Sequence, residues 1–134
     1  MVKRIEKSDD YWRKNLTSEQ YYVCREAGTE RPFTGKYNDF SCKGNFHCSC
    51  CDNLLFSSEA KFNSGTGWPS FYKPVTNEVV NLTKDTKFFM QRTEVTCAAC
   101  DAHLGHVFDD GPQPTGLRYC MNSVSLTFKE EDED

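Results

Sequence analysis

Cys48-Ser49-Cys50-Cys51 is one half of a paired cysteine pattern that governs how this 134-residue chain can fold. The other half is Cys97-Ala98-Ala99-Cys100. A Cys-x-x-Cys turn presents two thiolates to one metal ion, and two such turns complete the tetrahedral shell that Zn²⁺ prefers at structural sites. The pattern therefore predicts one structural zinc ion with four thiolate ligands, which are Cys48, Cys51, Cys97 and Cys100.

Other arrangements of these cysteines remain open. The four could form two separate pairs, either buried or disulfide-linked, and Cys50 offers a competing partner inside the first turn. A thioredoxin-like redox role is weaker, because neither pair lies in a strand–helix–strand pattern. The two-residue spacing fits a metal-binding turn better than these alternatives. Zinc binding of about 10–16 kcal/mol would make the ion decisive for folding.

The length and charge of the chain limit what it can do. With 134 residues we expect one domain at 9–129, between an N-terminal extension (1–8) and an acidic tail (130–134). A formal net charge of -4 gives no reason to expect binding to nucleic acid or an anionic membrane. No apolar run approaches the roughly 20 residues that span a bilayer, and no signal peptide is evident. We expect a cytoplasmic monomer, with organelle targeting of a longer precursor left open.

Capping signals predict two short helices within residues 8–28. Ser8 can cap the first helix, whose first turn carries two aspartates. Thr17-Ser18-Glu19-Gln20 is a capping box for the second helix, which we expect to end near Gly28.

From residue 33 onward, short apolar or alternating runs predict a small antiparallel β domain. Gly, Pro, Asn and Asp punctuate these runs, as is typical of turns between strands. The strictest alternation is Ser123-Val124-Ser125-Leu126-Thr127-Phe128, which predicts a strand. The other predicted strand segments are 46–48, 54–56, 79–82, 88–90 and 92–97. The chain is therefore predicted to be mainly β, fronted by short helices.

A separate cysteine, Cys120, is the candidate nucleophile. An ordinary thiol has a pKa of about 8.5, so it needs cationic or hydrogen-bonding neighbours to form a thiolate. Arg118 lies two residues before Cys120 and Asn122 two residues after it, so a strand would put all three on one face. His103 and His106 are the candidates for acid–base chemistry. Taken singly, the cysteine and each histidine could equally be structural core residues.

Three longer segments place these residues in a family. They are Phe62-Asn63-Ser64-Gly65-Thr66-Gly67-Trp68-Pro69-Ser70-Phe71, His103-Leu104-Gly105-His106-Val107-Phe108-Asp109-Asp110-Gly111-Pro112 and Arg118-Tyr119-Cys120-Met121-Asn122-Ser123. With the two cysteine pairs, they closely resemble the methionine-(R)-sulfoxide reductases of the B type, over residues 11–128. The resemblance implies two small antiparallel sheets, with the zinc site on the side away from the active site.

The same resemblance implies a reaction. Such an enzyme reduces the R epimer of methionine sulfoxide, preferentially in peptides and proteins. Cys120 would attack the sulfoxide sulfur, release methionine and be left as a sulfenic acid, which thioredoxin or another thiol reductant would regenerate. The further roles implied are oxygen polarisation or protonation by His103, His106 and Asn122, thiolate stabilisation by Arg118, and substrate binding by Trp68 and Phe108. Simple core packing is the alternative for Trp68.

The chain departs from the family pattern at one position. Many members carry a cysteine that resolves the sulfenic acid in the Gly-x-Gly-Trp-Pro motif, and this chain has Thr66 there. Cys42 and Cys24 are the possible substitutes, and Cys50, beside the zinc turn, is a weaker one. Direct regeneration by an external reductant, with no internal resolving cysteine, is the remaining possibility.

Two other functions compete with the reductase. A zinc-stabilised binding module would need the four paired cysteines but not Cys120, Asn122 or the histidines. A thiol oxidoreductase acting on protein disulfides would reduce insulin without turning over a sulfoxide. The joint presence of the candidate catalytic residues weighs against the binding module.

Overall fold

The computed structural model describes residues 2–86 and 90–131, and within them the protein is mainly β. Two helices, α1 (Asp9–Asn15) and α2 (Ser18–Arg25), precede nine strands arranged in two antiparallel sheets. The strands are β1 (Gly44–Cys48), β2 (Leu54–Ser57), β3 (Lys61–Phe62), β4 (Ser70–Phe71), β5 (Val80–Asp85), β6 (Arg92–Cys97), β7 (His103–Phe108), β8 (Arg118–Met121) and β9 (Leu126–Glu130). The predicted fold class is confirmed.

The helices begin where the capping signals predicted. The Ser8 side chain accepts a hydrogen bond from the Tyr11 backbone N–H, and Thr17 and Gln20 form the reciprocal capping box. The second helix ends at Arg25, earlier than predicted, because Ala27 adopts a left-handed φ of 56° that no helix continues. Neither helix in the described ranges has the length and apolar character needed to cross a membrane.

The smaller sheet has the order β2-β1-β9 and the larger sheet the order β3-β4-β8-β7-β6-β5. The predicted strands at 46–48, 54–56 and 92–97 are confirmed, and the one at 79–82 begins one residue late, at Val80. The predicted strand at 88–90 and the acidic tail lie largely outside the described residues.

The strand predicted at 123–128 is wrong in its first half. Residues Ser123–Ser125 form a 3₁₀ turn, and only Leu126 onward belongs to β9. Local hydrogen bonds explain the difference. The Ser123 hydroxyl accepts from the Tyr37 N–H, and the Ser125 hydroxyl donates to the His103 carbonyl oxygen. Hydroxyl side chains bonded in this way offer the backbone an alternative to the sheet ladder.

The core lies between the two sheets and is built from aromatic side chains. Phe46 of β1 and Phe56 of β2 contact Phe71 of β4, with ring centroids 5.1 and 4.4 Å apart, and all three are fully buried. Each such pair contributes about 0.5–1.5 kcal/mol beyond the area it buries. These contacts fix the small sheet against the strands that carry the candidate site.

Candidate active site

Cys120 lies in a row of cross-strand partners. It pairs with His106 of β7 on one side and with Ser70 of β4 on the other, and His106 pairs in turn with Glu94 of β6. Side chains at paired positions project from the same face of a sheet, about 5 Å apart. The register therefore brings a thiol, an imidazole, a hydroxyl and a carboxylate side by side.

Strand β8 separates a cavity face from a core face. Tyr119 and Met121 are buried, whereas Arg118 and Cys120 are partly exposed and open into a cavity of about 250 Å³. Asn122, just after the strand, lines the same cavity. The predicted common face for Arg118, Cys120 and Asn122 is therefore observed.

Six of the residues singled out from the sequence share this cavity. They are Trp68, His106, Phe108, Arg118, Cys120 and Asn122. His103 does not line it. Its side chain is 5% exposed and lies behind His106, with the two rings edge to face and 5.5 Å apart. Thr66, where the chain departs from the family pattern, also lines the cavity, together with three residues that were not predicted as site residues, which are Thr29, Arg92 and Gly105.

The Cys120 thiol is held in its neutral form by burial. Desolvation raises its pKa above the ordinary value, and the charge of Arg118 and hydrogen bonds with Thr66 and Ser70 oppose that rise without cancelling it. The charge of Arg118 acts in the direction that favours the thiolate. The net effect is nevertheless a thiol that keeps its proton at neutral pH in the free protein.

Arg118 is a fixed cation rather than a mobile one. Its Nε and Nη2 donate to the two carboxylate oxygens of Asp110 at 2.8 and 3.1 Å, and its guanidinium lies 4.4 Å from the Phe108 ring centroid. The hydrogen bond with Asp110 raises the pKa of Arg118 and lowers that of the carboxyl. A bidentate pair of this kind fixes the guanidinium orientation beside the thiol.

Each histidine of the pair is bonded to its own carboxylate. His106 Nε2 lies 3.0 Å from Asp85 Oδ2, and His103 Nδ1 lies 2.7 Å from Glu94 Oε2. Because a carboxylate only accepts, these two ring nitrogens carry the protons. Sequence reasoning missed both carboxylates, and only the alternation of the segment 92–97 hinted at Glu94.

Glu30 links two walls of the cavity through its backbone. Its N–H donates to Asn122 Oδ1 at 3.0 Å, and its carbonyl oxygen accepts from Trp68 Nε1 at 3.0 Å. The amide of Asn122 is also held by Leu104, whose carbonyl oxygen accepts from Nδ2 at 3.1 Å. The Glu30 carboxyl is buried, which raises its pKa, and it accepts from the Val124 N–H at 3.0 Å. No sequence signal pointed to Glu30.

Gly105 is required by the close approach of β7 and β8. A Cβ at this position would lie 2.0 Å from the carbonyl oxygen of Cys120, which is backbone and cannot move aside. The glycine therefore lets the strand that carries both histidines lie flat against the strand that carries the thiol.

The spare cysteines lie outside the cavity. Cys24 is buried beside Ser49 and Ser125, at 3.7 and 3.6 Å, and Cys42 is exposed on a groove that also includes Asn63. Neither is among the described residues that line the cavity around Cys120. Thr66, at the position of the resolving cysteine expected from the resemblance, does line it.

The four paired cysteines form one cluster that can hold a metal ion. Their Sγ atoms all lie within 4.8 Å of one another, and Cys48–Cys100 and Cys51–Cys97 are each 3.6 Å apart. Four thiolates at about 2.3 Å from a tetrahedral zinc would be about 3.8 Å apart, so the donor set fits that ion. The cysteine cluster joins the β1–β2 hairpin to the β6–β7 hairpin, and thus joins the two sheets.

The two cysteine turns have the same backbone form. The Asp52 N–H donates to the Cys48 carbonyl oxygen at 2.8 Å, and the Asp101 N–H donates to that of Cys97 at 2.8 Å. Both aspartates are left-handed, with φ of 69° and 66°. Asp is one of the few non-glycine residues that tolerates this region, so each turn ends in a residue suited to it.

Because Cys120 opens into a cavity beside the carboxylate-bound His106, the chemistry that this site can perform is that of a thiol-dependent oxidoreductase. A family model described as the SelR domain matches residues 16–130. A peptide methionine sulfoxide reductase MsrB of Pseudomonas putida (strain W619) is 60% identical over 131 residues, which is 98% of each chain. The chain belongs to the SelR-domain family of peptide methionine sulfoxide reductases.

Relatives from distant organisms agree with this assignment. The MsrB of Methanosarcina barkeri is 56% identical over 98% of this chain and 92% of its own. A rice protein named peptide methionine sulfoxide reductase B1, chloroplastic, is 58% identical over 91% of this chain and 57% of its own.

Proposed function

We propose that this protein reduces the R epimer of methionine sulfoxide, mainly in peptides and proteins, to methionine. The observation that carries the proposal is the convergence of Cys120, His106 and Asn122 on one cavity of about 250 Å³ with an indole wall. The names of the relatives, which are peptide methionine sulfoxide reductases, support the same substrate class.

Substrate binding follows from the two sides of the cavity. Trp68 supplies an apolar surface for the S-methyl group, and its ring is held in place by the bond to the Glu30 carbonyl oxygen. His106 and Asn122 supply the polar groups that face the sulfoxide oxygen. A site with one apolar wall and one polar wall distinguishes the two epimers, because exchanging oxygen and methyl sets the oxygen against the indole.

The redox step is attack of the Cys120 sulfur on the sulfoxide sulfur. The attack forms a bond between Cys120 Sγ and the sulfoxide sulfur. The oxygen then moves to Sγ as that bond breaks, so the substrate sulfur gains two electrons and leaves as methionine, and Cys120, oxidised by two electrons, is left as a sulfenic acid. The thiol proton, retained because burial raises the pKa of Cys120, leaves as the sulfur attacks and replaces the proton that His106 gives to the oxygen. The fixed charge of Arg118 stabilises the negative charge that develops on the sulfur.

His106 is the proposed acid for the sulfoxide oxygen. Its Nε2–H donates to Asp85 Oδ2 at 3.0 Å, which holds the ring in a fixed orientation. Nδ1 is the ring nitrogen that is not bonded to Asp85, so it is the nitrogen that donates. His103, held by Glu94 and buried, supports the His106 ring from behind rather than reaching the substrate.

Regeneration requires two reducing equivalents from outside the chain. Because Cys24 and Cys42 do not line the cavity and Thr66 does, we propose direct attack of an external thiol, such as that of thioredoxin, on the sulfenic acid. That attack forms a mixed disulfide and releases water, and a second thiol then frees Cys120. A need for thiol reductants suits the cytosol. It also suits a reducing organelle, and the rice relative is named as chloroplastic.

The cysteine cluster takes no part in these steps. We propose that it holds one structural Zn²⁺, with Cys48, Cys51, Cys97 and Cys100 as ligands. The ion would cross-link two hairpins and fix the start of β7, the strand that carries both histidines.

Assays with separated epimers under dithiothreitol test the proposed function. We expect turnover of the R epimer, little turnover of the S epimer and none in Cys120→Ser. Reduction of insulin without sulfoxide turnover would identify a protein-disulfide reductase instead. Binding of oxidised peptides without turnover would identify a binding module.

A further inference from the structure

Phe33 combines two features that a core residue does not have. Its side chain is 69% exposed, more than that of any other large hydrophobic residue in the described part of the chain, and its φ is 67°. A bulky side chain in the left-handed region is disfavoured, and here no burial offsets that cost. Strained residues cluster at binding sites, so the position merits a functional explanation.

The surroundings of Phe33 connect it to the Cys120 cavity. Its N–H donates to the Gly67 carbonyl oxygen at 2.7 Å, and a Cβ on Gly67 would lie 2.8 Å from Phe33 Cδ2. Gly67 stands between Thr66 and Trp68, and both of these line the cavity. Phe33 therefore lies on the outer side of the loop that forms the cavity wall.

Pro32 extends the same contact. A Cβ on Gly67 would also lie 2.7 Å from Pro32 Cβ, so Pro32 and Phe33 both pack on this glycine. Both side chains are exposed. They form a small apolar rim, which we define as Pro32 and Phe33 and call the Phe33 rim.

We propose that the Phe33 rim binds an apolar residue next to the oxidised methionine in a polypeptide substrate. This inference rests on the proposed function. A cavity of about 250 Å³ holds a side chain, so the polypeptide on either side of the methionine must lie on the surrounding rim. An exposed aromatic ring packed against the loop that forms the cavity wall offers apolar area there at little cost in side-chain entropy.

The test compares two substrates with dithiothreitol as the only reductant. One is N-acetyl-methionine-(R)-sulfoxide amide, which fills the cavity alone. The other is a pentapeptide with the same sulfoxide between valine and leucine. The variants are Phe33→Gly, which removes the ring and relieves the φ strain, Phe33→Ala and Phe33→Tyr. The control is Tyr11→Ala, because Tyr11 is an exposed aromatic on the cysteine-cluster side of the protein.

We expect kcat/KM for the pentapeptide to fall about three- to tenfold in Phe33→Gly and Phe33→Ala, the loss typical of one aromatic contact. The value for the small substrate should stay unchanged. Phe33→Tyr and Tyr11→Ala should resemble the unmodified protein on both substrates, and the melting temperature of Phe33→Gly should not fall.

Equal losses on both substrates, or no loss on the pentapeptide, would overturn the inference. An effect seen only when thioredoxin replaces dithiothreitol would also overturn it and assign the rim to the reductant. Failure of the unmodified protein on the small substrate would contradict the proposed function itself.

Discussion

Asp85 and His106 are joined across the larger sheet, with 3.0 Å between Oδ2 and Nε2, although β6 separates their strands. Both side chains are only 12% exposed. Arg92, which lines the Cys120 cavity, contacts the same Asp85 oxygen at 3.3 Å. The carboxylate thus orients the proposed acid and is itself held by a neighbouring cation.

Replacing Asp85 should therefore impair proton transfer more than binding. We expect Asp85→Asn to lower kcat about tenfold with little change in KM, because a charge-assisted hydrogen bond contributes about 1.5–3 kcal/mol. Steady-state kinetics with the R epimer measures this. Asp109→Asn is the matched control, since Asp109 is exposed on the same segment as His106. An equal effect of the two variants would contradict the role of Asp85.

The thiol of Cys120 should titrate above the range of an ordinary cysteine. Burial raises its pKa and Arg118 opposes the rise, so its alkylation rate should increase with pH to a midpoint above about 8.5. Removing the opposing charge in Arg118→Ala should move the midpoint to higher pH, and Arg118→Lys should move it less. Mass spectrometry of iodoacetamide adducts at Cys120 measures the midpoint. A midpoint below neutral pH in the unmodified protein would show that the cation outweighs burial.

Glu30→Gln should stabilise the protein at neutral pH. Burial raises the folded-state pKa of Glu30, so the charged form is penalised in the folded state. The neutral amide escapes this penalty and still accepts from the Val124 N–H. The advantage should be largest above the folded-state pKa, shrink as the pH falls through it, and vanish below the unfolded value of about 4.3. Urea unfolding across this pH range measures it, and an advantage that grows toward acid pH would have the wrong sign.

Glu30→Ala separates the packing role of this residue from its charge. The truncation leaves the half-buried Val124 N–H without its acceptor, which costs about 1 kcal/mol. Activity should fall as well, because the Glu30 backbone holds both Asn122 and Trp68. Full activity in a destabilised Glu30→Ala protein would show that the backbone contacts do not depend on the side chain.

Removing one proposed zinc ligand should unfold the protein rather than inactivate it selectively. We expect about one zinc per chain in the purified protein, lost together with cooperative unfolding in Cys97→Ser, because structural zinc contributes about 10 kcal/mol or more. Cys42→Ser is the control, since Cys42 is exposed and outside the cysteine cluster. Metal analysis and thermal melting test this. A stable, metal-free Cys97→Ser protein would contradict a structural zinc site.

Local signals in the sequence predicted much of the fold and of the site. The Ser8 cap, the Thr17–Gln20 capping box, the paired cysteine turns and the shared face of Arg118 and Cys120 all depend on residues a few positions apart. Such patterns can be recognised in the sequence because each depends only on the local backbone geometry of a turn, a helix end or a strand.

The groups that hold the site are brought to it by contacts between residues distant in sequence, which local patterns do not encode. Asp85 meets His106 because β5, β6 and β7 are in register, and Glu30 meets Asn122 across 92 positions of chain. The wrong strand at Ser123–Ser125 has the same origin. Its alternating pattern is real, but the hydroxyls bond to Tyr37 and His103, which are distant in sequence.

The fate of the Cys120 sulfur in a single turnover decides whether this thiol is the nucleophile. The protein, freed of reductant, is mixed with one equivalent of an N-acetylated R-sulfoxide substrate, and the products and each cysteine are followed by mass spectrometry. We expect one equivalent of the reduced methionine derivative and one oxygen atom on Cys120, with the cysteine cluster unmodified. Absence of that product, or its formation at an unchanged rate in Cys120→Ser, would contradict the proposed reaction.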